Sequence, residues 1–361
     1  MKPRDLSSHI PYSAGRGIEE VARDLGLDPD SLVKLSSNEN PFGPSPAAVE
    51  AIREAAPTVN TYPKALHTDL TEAIAREWDI DAEQVWLGAG GDGVLDYFSR
   101  AMLDSSDRVL TPDPGFAYYP MSARYHGATV DSYTLEKAAD FEQTAETVLE
   151  AYEDHRIVYV TTPHNPTGSE MPIEEIVALA DGTHEETLVV VDEAYDEFST
   201  RESARTLLDE RNDVAVLRTF SKAYGLAGLR LGYGLVPEEW ADAYERINTP
   251  FAVSVPALHA GLAALDDTDH VEKTVETARW AREYMYEHLD APTWESGGNF
   301  VLVEVGDAST VAQQAQREGV IVRDCGSFGL PECIRITCGT RESTRVAVDT
   351  INDVLETTSE E

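Results

Sequence analysis

Leu188-Val189-Val190-Val191-Asp192-Glu193-Ala194-Tyr195 is the stretch on which the fold turns. Its four consecutive apolar residues show no alternation between a wet and a dry face, as expected of a strand covered on both sides. The run ends on a carboxylate, Asp192, and a carboxylate at the end of a buried strand needs a cationic or hydrogen-bonding partner. A surface aspartate capping the next turn is the competing reading. Upstream, Ile157-Val158-Tyr159-Val160 is a second run of the same kind. Between the two, residues 172–180 read as a helix with proline in its first turn.

Outward from this pair the alternation continues. Helical spacing appears at 46–56, 68–78, 92–102, 118–126 and 144–152. Strand-like segments occupy 85–87, 108–110, 128–133, 214–217 and 229–236. Such alternation predicts an α/β fold with a mostly parallel central sheet flanked by helices. After Pro237 the texture changes. Helices are expected at 254–265 and 269–289, followed by a βαββα pattern at 300–305, 310–318, 320–323, 334–337 and 341–355. That pattern predicts a smaller α+β unit. The expected division is an N-terminal arm, 1–36, packing with the small domain, a large domain, 37–247, and a C-terminal domain, 248–361. Residues 357–361 are expected to fray.

Composition narrows the function classes. The 361 residues include 66 Asp and Glu against 28 Lys and Arg, a formal net charge of −38, with 42% hydrophobic residues. That hydrophobic share supports globular cores, and the charge disfavours nucleic acid and anionic membranes as partners. No apolar run approaches the roughly 20 residues of a membrane span, and no apolar signal region follows Met1, so a cytoplasmic protein is expected. Cys325, Cys333 and Cys338 suggest neither a disulfide framework nor a zinc site, and His67 and His164 show no metal-ligand spacing.

Several residues fall where an open α/β sheet gathers its ligands, at the carboxyl ends of strands. The chain has six lysines, and one lies in Leu217-Arg218-Thr219-Phe220-Ser221-Lys222-Ala223-Tyr224-Gly225-Leu226-Ala227-Gly228-Leu229-Arg230. A chain so averse to lysine would use arginine wherever only charge is wanted, but arginine cannot form a Schiff base. Lys222 therefore reads as a covalent anchor, with Ser221 and Arg230 as a phosphate clamp; an ordinary loop lysine is the alternative. Gly88-Ala89-Gly90-Gly91-Asp92-Gly93 opens a helix whose amides favour an anion, though it reads equally as a tight turn. Asn165 sits in Pro163-His164-Asn165-Pro166-Thr167-Gly168, where the prolines fix a turn. Phe116 could stack on a planar ligand or simply pack. Arg230, Arg323 and Arg335 border apolar strands, where a planar fork suits phosphate or carboxylate; ion pairs with this chain's acids would also explain them.

Together these pieces resemble the fold type I pyridoxal-phosphate aminotransferases, and within them the histidinol-phosphate aminotransferases. The resemblance rests on Leu35-Ser36-Ser37-Asn38-Glu39-Asn40-Pro41-Phe42-Gly43-Pro44, the Thr219–Arg230 stretch, Gly319-Val320-Ile321-Val322-Arg323-Asp324-Cys325 and Ile334-Arg335-Ile336-Thr337-Cys338-Gly339-Thr340. It runs from Tyr12 to the final helix.

It implies that Lys222 holds pyridoxal 5'-phosphate as a Schiff base, that Asp192 pairs with the ring nitrogen, and that Tyr195 and Asn165 contact the phenolic oxygen. Phe116 would stack on the ring, where family members often carry tyrosine. The amides of Gly91 and Asp92 would hold the phosphate together with Ser221, Arg230 and, more weakly, Thr219. Glycine here replaces a glutamate common in that loop. Tyr62 would reach the neighbouring subunit's phosphate, which implies a homodimer with shared sites. Tyr12, Asn38, Arg323 and Arg335 match substrate positions.

The implied reaction exchanges an amino group between glutamate and imidazole acetol phosphate, giving 2-oxoglutarate and histidinol phosphate in histidine biosynthesis. The alternatives are a threonine-phosphate decarboxylase of cobalamin synthesis or an aromatic amino-acid aminotransferase.

The acidity has its own consequence. Distant repulsion nearly vanishes in molar salt, where the Debye length is about 3 Å against about 10 Å at 0.1 M, so the composition suits a salt-rich cytoplasm. Thermal melting in rising KCl checks this: the melting temperature should climb from dilute buffer to multimolar salt. Equal stability at both extremes would refute it.

Overall fold

The computed structural model describes residues 6–7, 9, 17–64 and 67–359. Its strands in chain order are β1 (Val33–Lys34), β2 (Val85–Ala89), β3 (Arg108–Asp113), β4 (Thr129–Thr134), β5 (Ile157–Thr161) and β6 (Leu188–Asp192). They continue with β7 (Val214–Thr219), β8 (Leu231–Leu235), β9 (Phe300–Glu304), β10 (Val320–Ile321), β11 (Arg323–Asp324) and β12 (Cys333–Thr337).

Seven strands form one sheet in the order β2-β8-β7-β6-β5-β3-β4. Strands β3 to β7 run parallel, and β8 is antiparallel to both neighbours. Every residue of β5, β6 and β7 is buried, as their unbroken apolar runs predict. Alternate side chains enter two different cores: Val158, Val189 and Val216 pack into one, Tyr159, Val190 and Ala215 into the other. Full burial of each such valine contributes on the order of 1.5–3 kcal/mol, which locks the register.

The reversed strand matters for the site. Gly232 pairs with Thr219, and Leu231 with Ala89, so β8 begins level with the ends of β7 and β2. Arg230, one residue before β8, is thereby delivered to the carboxyl edge of the sheet. The helix after β2 spans Gly90–Met102 and so starts two residues earlier than its spacing predicts. The glycines permit this. A Cβ on Gly232 would lie 2.7 Å from Gly90 C and Gly91 N, so only glycine lets the helix's first turn rest on β8.

The C-terminal unit contains the antiparallel sheet β11-β12-β9 and the helices Thr268–His288, Ala308–Arg317 and Arg341–Ser359. Residues 320–323, expected as one strand, serve two sheets: β10 pairs in parallel with β1, and β11 pairs with β12. The segment preceding the large sheet is thus sewn onto the C-terminal unit. The first helix after residue 248 is Val255–Asp266. Its Ala257, Ala260 and Ala264 share a core with Leu70, Leu87 and Leu231 of the large sheet's layer, so the chain after 248 first completes that layer. The last helix continues through Thr357 and Thr358, where fraying is expected; the Thr358 hydroxyl donates its one proton to Val354 O at 2.5 Å, with Gln314 Oε1 3.2 Å away. Pro172 is the cap of helix Ile173–Gly182 rather than its first residue.

On β7, Arg218 is 3% exposed and faces Glu193, Asp196 and Glu197, with Glu193 Oε2 at 3.0 Å and Glu197 Oε1 at 2.8 Å. Its guanidinium also lies 4.7 Å from the Trp78 ring centroid. Burial pushes the Glu193 carboxyl up, and Arg218 opposes that. One cation therefore compensates three carboxylates on the segment that follows β6. Arg218→Met should destabilise the fold by about 3–5 kcal/mol, since breaking a buried pair leaves its partners uncompensated. Urea unfolding at fixed high KCl measures this, and an unchanged midpoint would contradict it.

Candidate active site

The carboxyl edge of the large sheet collects most of the residues singled out from sequence. Asp192, the last residue of β6, is 4% exposed. Tyr119 donates its phenol O–H to Asp192 Oδ2 at 2.6 Å, and the Ala194 N–H donates to Oδ1 at 3.0 Å. Burial pushes this carboxyl up to about 6, against the pull of those two donors and of the Lys222 charge. A buried acid with so few donors is poised to gain a proton or a cationic neighbour.

Lys222 lies in the turn after β7. Its ammonium donates to Ser37 O at 3.4 Å and sits 5.4 Å from the Tyr195 ring centroid. The Tyr195 hydroxyl in turn accepts from Asn38 Nδ2 at 3.0 Å. Asn38 adopts a left-handed backbone, φ 54°, which asparagine tolerates better than most residues. It is fixed there by Thr337, whose Oγ1 accepts from the Asn38 N–H at 2.9 Å and donates to Oδ1 at 3.0 Å.

Arg335 on β12 reaches across from the C-terminal unit. It donates to Asn165 Oδ1 and, at 3.0 Å, to Ser36 O, and its guanidinium stands 5.2 Å from the Phe300 ring centroid. Arg323 is its cross-strand partner on β11; it donates to Ser327 Oγ at 2.9 Å and faces Phe328 at 5.4 Å. Two arginines thus stand side by side, Arg335 buried and Arg323 half-buried.

At the other end, Gly90, Gly91 and Asp92 form the first turn of the helix after β2, whose amides point toward the carboxyl edge. Arg230 donates to Asp92 Oδ2 at 3.1 Å. A Cβ on Gly90 would sit 2.3 Å from Arg230 Nη2, and its φ is +78°, so glycine alone leaves room for the guanidinium. Thr219 Oγ1 donates to Ser221 Oγ at 3.0 Å and accepts the Ser221 N–H at 3.1 Å, tying the two hydroxyls together. These groups make a cradle suited to an anion. Phe116 is half-buried, edge-on to Tyr119 with centroids 5.5 Å apart.

One expected residue falls elsewhere. Tyr62 is 81% exposed and stacks on Phe251 at 4.7 Å, away from this cluster within one chain. Tyr12 lies outside the described residues. His164 is fully buried, with Thr167 Oγ1 2.8 Å from Nδ1, and burial pushes its imidazole down to about 4. Among the described residues no cluster suits a metal ion. The sequence reading missed Tyr119 and Thr161 beside Asp192, and Thr337 beside Asn38. Thr337 was within reach, since it stands two residues from Arg335 on one strand and so shares its face.

The profile described as aminotransferase class I and II matches residues 30–351. The chain belongs to this aminotransferase family. This aminotransferase is 68% identical to the histidinol-phosphate aminotransferase of Natronomonas pharaonis, over 98% of its own length and 100% of the relative's. It is 65% identical to the same enzyme of Haloarcula marismortui, over 99% of each. Both relatives come from halophilic archaea, in keeping with the salt reading of the aminotransferase's composition. Among solved structures, histidinol-phosphate aminotransferase from Sinorhizobium meliloti in complex with pyridoxal-5'-phosphate superposes on it with a TM-score of 0.87, at 29% identity and 96% coverage of each chain. A single mutant of Thermus thermophilus aspartate aminotransferase, at 23% identity over 98% of this chain and 100% of that one, shares the fold with a TM-score of 0.85. Among the described residues, no helix of the aminotransferase is long and apolar enough to cross a membrane.

Proposed function

We propose that this aminotransferase exchanges an amino group between glutamate and imidazole acetol phosphate, releasing 2-oxoglutarate and histidinol phosphate. The observation that carries the chemistry is one lysine, Lys222, held over Tyr195 at the same sheet edge as the buried Asp192. The substrate assignment is supported by the named relatives at 65–68% identity over full length.

The residues fit pyridoxal 5'-phosphate, because each of its functional groups finds a matching one. Gly90 leaves room for the Arg230 guanidinium and Gly232 lets the helix N-terminus rest on β8, and that N-terminus, Ser221 and Arg230 would take the phosphate. For this the Arg230 guanidinium must exchange the Asp92 carboxylate for the phosphate. Asp192 would face the ring nitrogen, while Asn165 and Tyr195 would face the phenolic oxygen. Phe116 would cover the ring, and Lys222 would hold the cofactor covalently. When bound, the cofactor supplies the electron sink that stabilises negative charge on the substrate carbon.

The chain's own residues do the rest. Lys222 Nζ would be the base that takes the proton from the substrate's α-carbon and hands it on to the cofactor's former aldehyde carbon, a transfer that contributes on the order of 10²–10⁴-fold. Arg335 would bind the carboxylate of glutamate, and Arg323 beside it offers a second fork for the more highly charged phosphate end. Asn38 orients the Tyr195 hydroxyl, and Asn165 is oriented by Arg335, so substrate and cofactor contacts are linked. The exposed Tyr62–Phe251 pair, with Val59 nearby in sequence and 59% exposed, supports a homodimer in which Tyr62 reaches the partner's phosphate.

The test is a glutamate-release assay with histidinol phosphate and 2-oxoglutarate in multimolar KCl. Lys222→Ala should lose at least about a hundredfold in kcat. Arg335→Ala should raise KM for both substrates. Carbon dioxide release from threonine phosphate at a comparable rate would contradict the reading, as would a Lys222→Ala variant with native turnover.

A further inference from the structure

A hydrogen-bonded relay runs from Thr161 through Tyr119 to Asp192. Tyr119 is fully buried and stacks on Tyr159, with ring centroids 4.6 Å apart and planes 8° from parallel. Its hydroxyl stands 2.6 Å from Asp192 Oδ2 and 2.7 Å from Thr161 Oγ1. Thr161 ends β5 and Asp192 ends β6, and the two are register partners, so the sheet itself sets this spacing.

The proton directions follow from what each group can do. An ionised carboxylate only accepts, so Tyr119 donates to Asp192. The phenol oxygen then accepts from the threonine hydroxyl, and the relay runs Thr161 to Tyr119 to Asp192. Stacking on Tyr159 and a perpendicular contact with Phe116 hold the Tyr119 ring in place. The other charges acting on Asp192 are Asp92, which opposes its ionisation, and Lys222, which favours it. Burial opposes ionisation more strongly than either. Without the phenol, Oδ2 would lose a charge-assisted bond in a dry site.

We propose that Tyr119 is a positioning residue for the cofactor: its O–H, oriented by Thr161, keeps Asp192 an anion with a fixed oxygen available to the ring nitrogen. The inference rests on the reading of Asp192 given above. It assigns the sheet's β5–β6 pair a part in setting the cofactor's charge.

Tyr119→Phe keeps the stacked ring and removes only the hydroxyl, so the variant should still fold and unfold cooperatively. Loss of a hydrogen bond to a charged group should weaken retention of pyridoxal phosphate about tenfold or more. The pH midpoint of the bound cofactor's visible absorbance should move by at least about half a unit. Thr161→Val should shift both quantities in the same direction by less. Asp192→Asn, measured alongside, separates the two ideas. If it moves both quantities while Tyr119→Phe leaves them native, Tyr119 has no such role and Asp192 keeps its own. If Asp192→Asn also leaves them native, the reading of Asp192 falls and the proposal with it.

Discussion

A sheet buried on both faces confines polar chemistry to its edges, and this constraint organises the whole molecule. Strands β5, β6 and β7 admit only apolar side chains along their length, apart from Arg218 and the residues at their carboxyl ends. Thr161 and Asp192 therefore emerge side by side as register partners, and β7 carries Thr219 two residues past Leu217, the partner of Asp192. The single reversed strand, β8, adds Arg230 to the same edge from the opposite direction. Nothing comparable could assemble in the middle of the sheet, where an unpaired polar group would cost several kcal/mol.

The segment after β6 shows how two buried acidic sites with different tasks are kept apart. Glu193, Asp196 and Glu197 surround Arg218 on one side, a closed arrangement in which charge is answered by charge. Asp192, one residue earlier, has only neutral donors in direct contact, Tyr119 and Ala194. The closed set anchors the segment, and the under-compensated carboxylate is left to meet a ligand. Neighbouring residues of one short stretch thus divide between rigidity and chemistry. The C-terminal unit joins through Arg335 and Thr337, which fix Asn165 and Asn38, so both units own parts of one site.

Much of this was legible from local pattern. Unbroken apolar runs marked β5 and β6, and the ends of those strands marked Asp192 and Asn165. Lys222 stood out because the chain otherwise avoids lysine. What stayed hidden depended on distant partners. Tyr119 looks like an ordinary helix tyrosine until β5 and β6 bring Thr161 and Asp192 against it. Residues 320–323 read as one strand because nothing local says that Val33–Lys34 will claim the first half and Arg335 the second. The alanine-rich helix Val255–Asp266 is apolar on most sides, so its periodicity could not tell which core it would join.

Six lysines in 361 residues make the central claim open to a direct chemical measurement. Borohydride reduction of the protein loaded with pyridoxal phosphate, followed by proteolysis and mass spectrometry, would locate any covalent attachment. The account predicts one modified peptide, carrying the cofactor's mass on Lys222. Attachment at any of the other five lysines, or none at all, would contradict it.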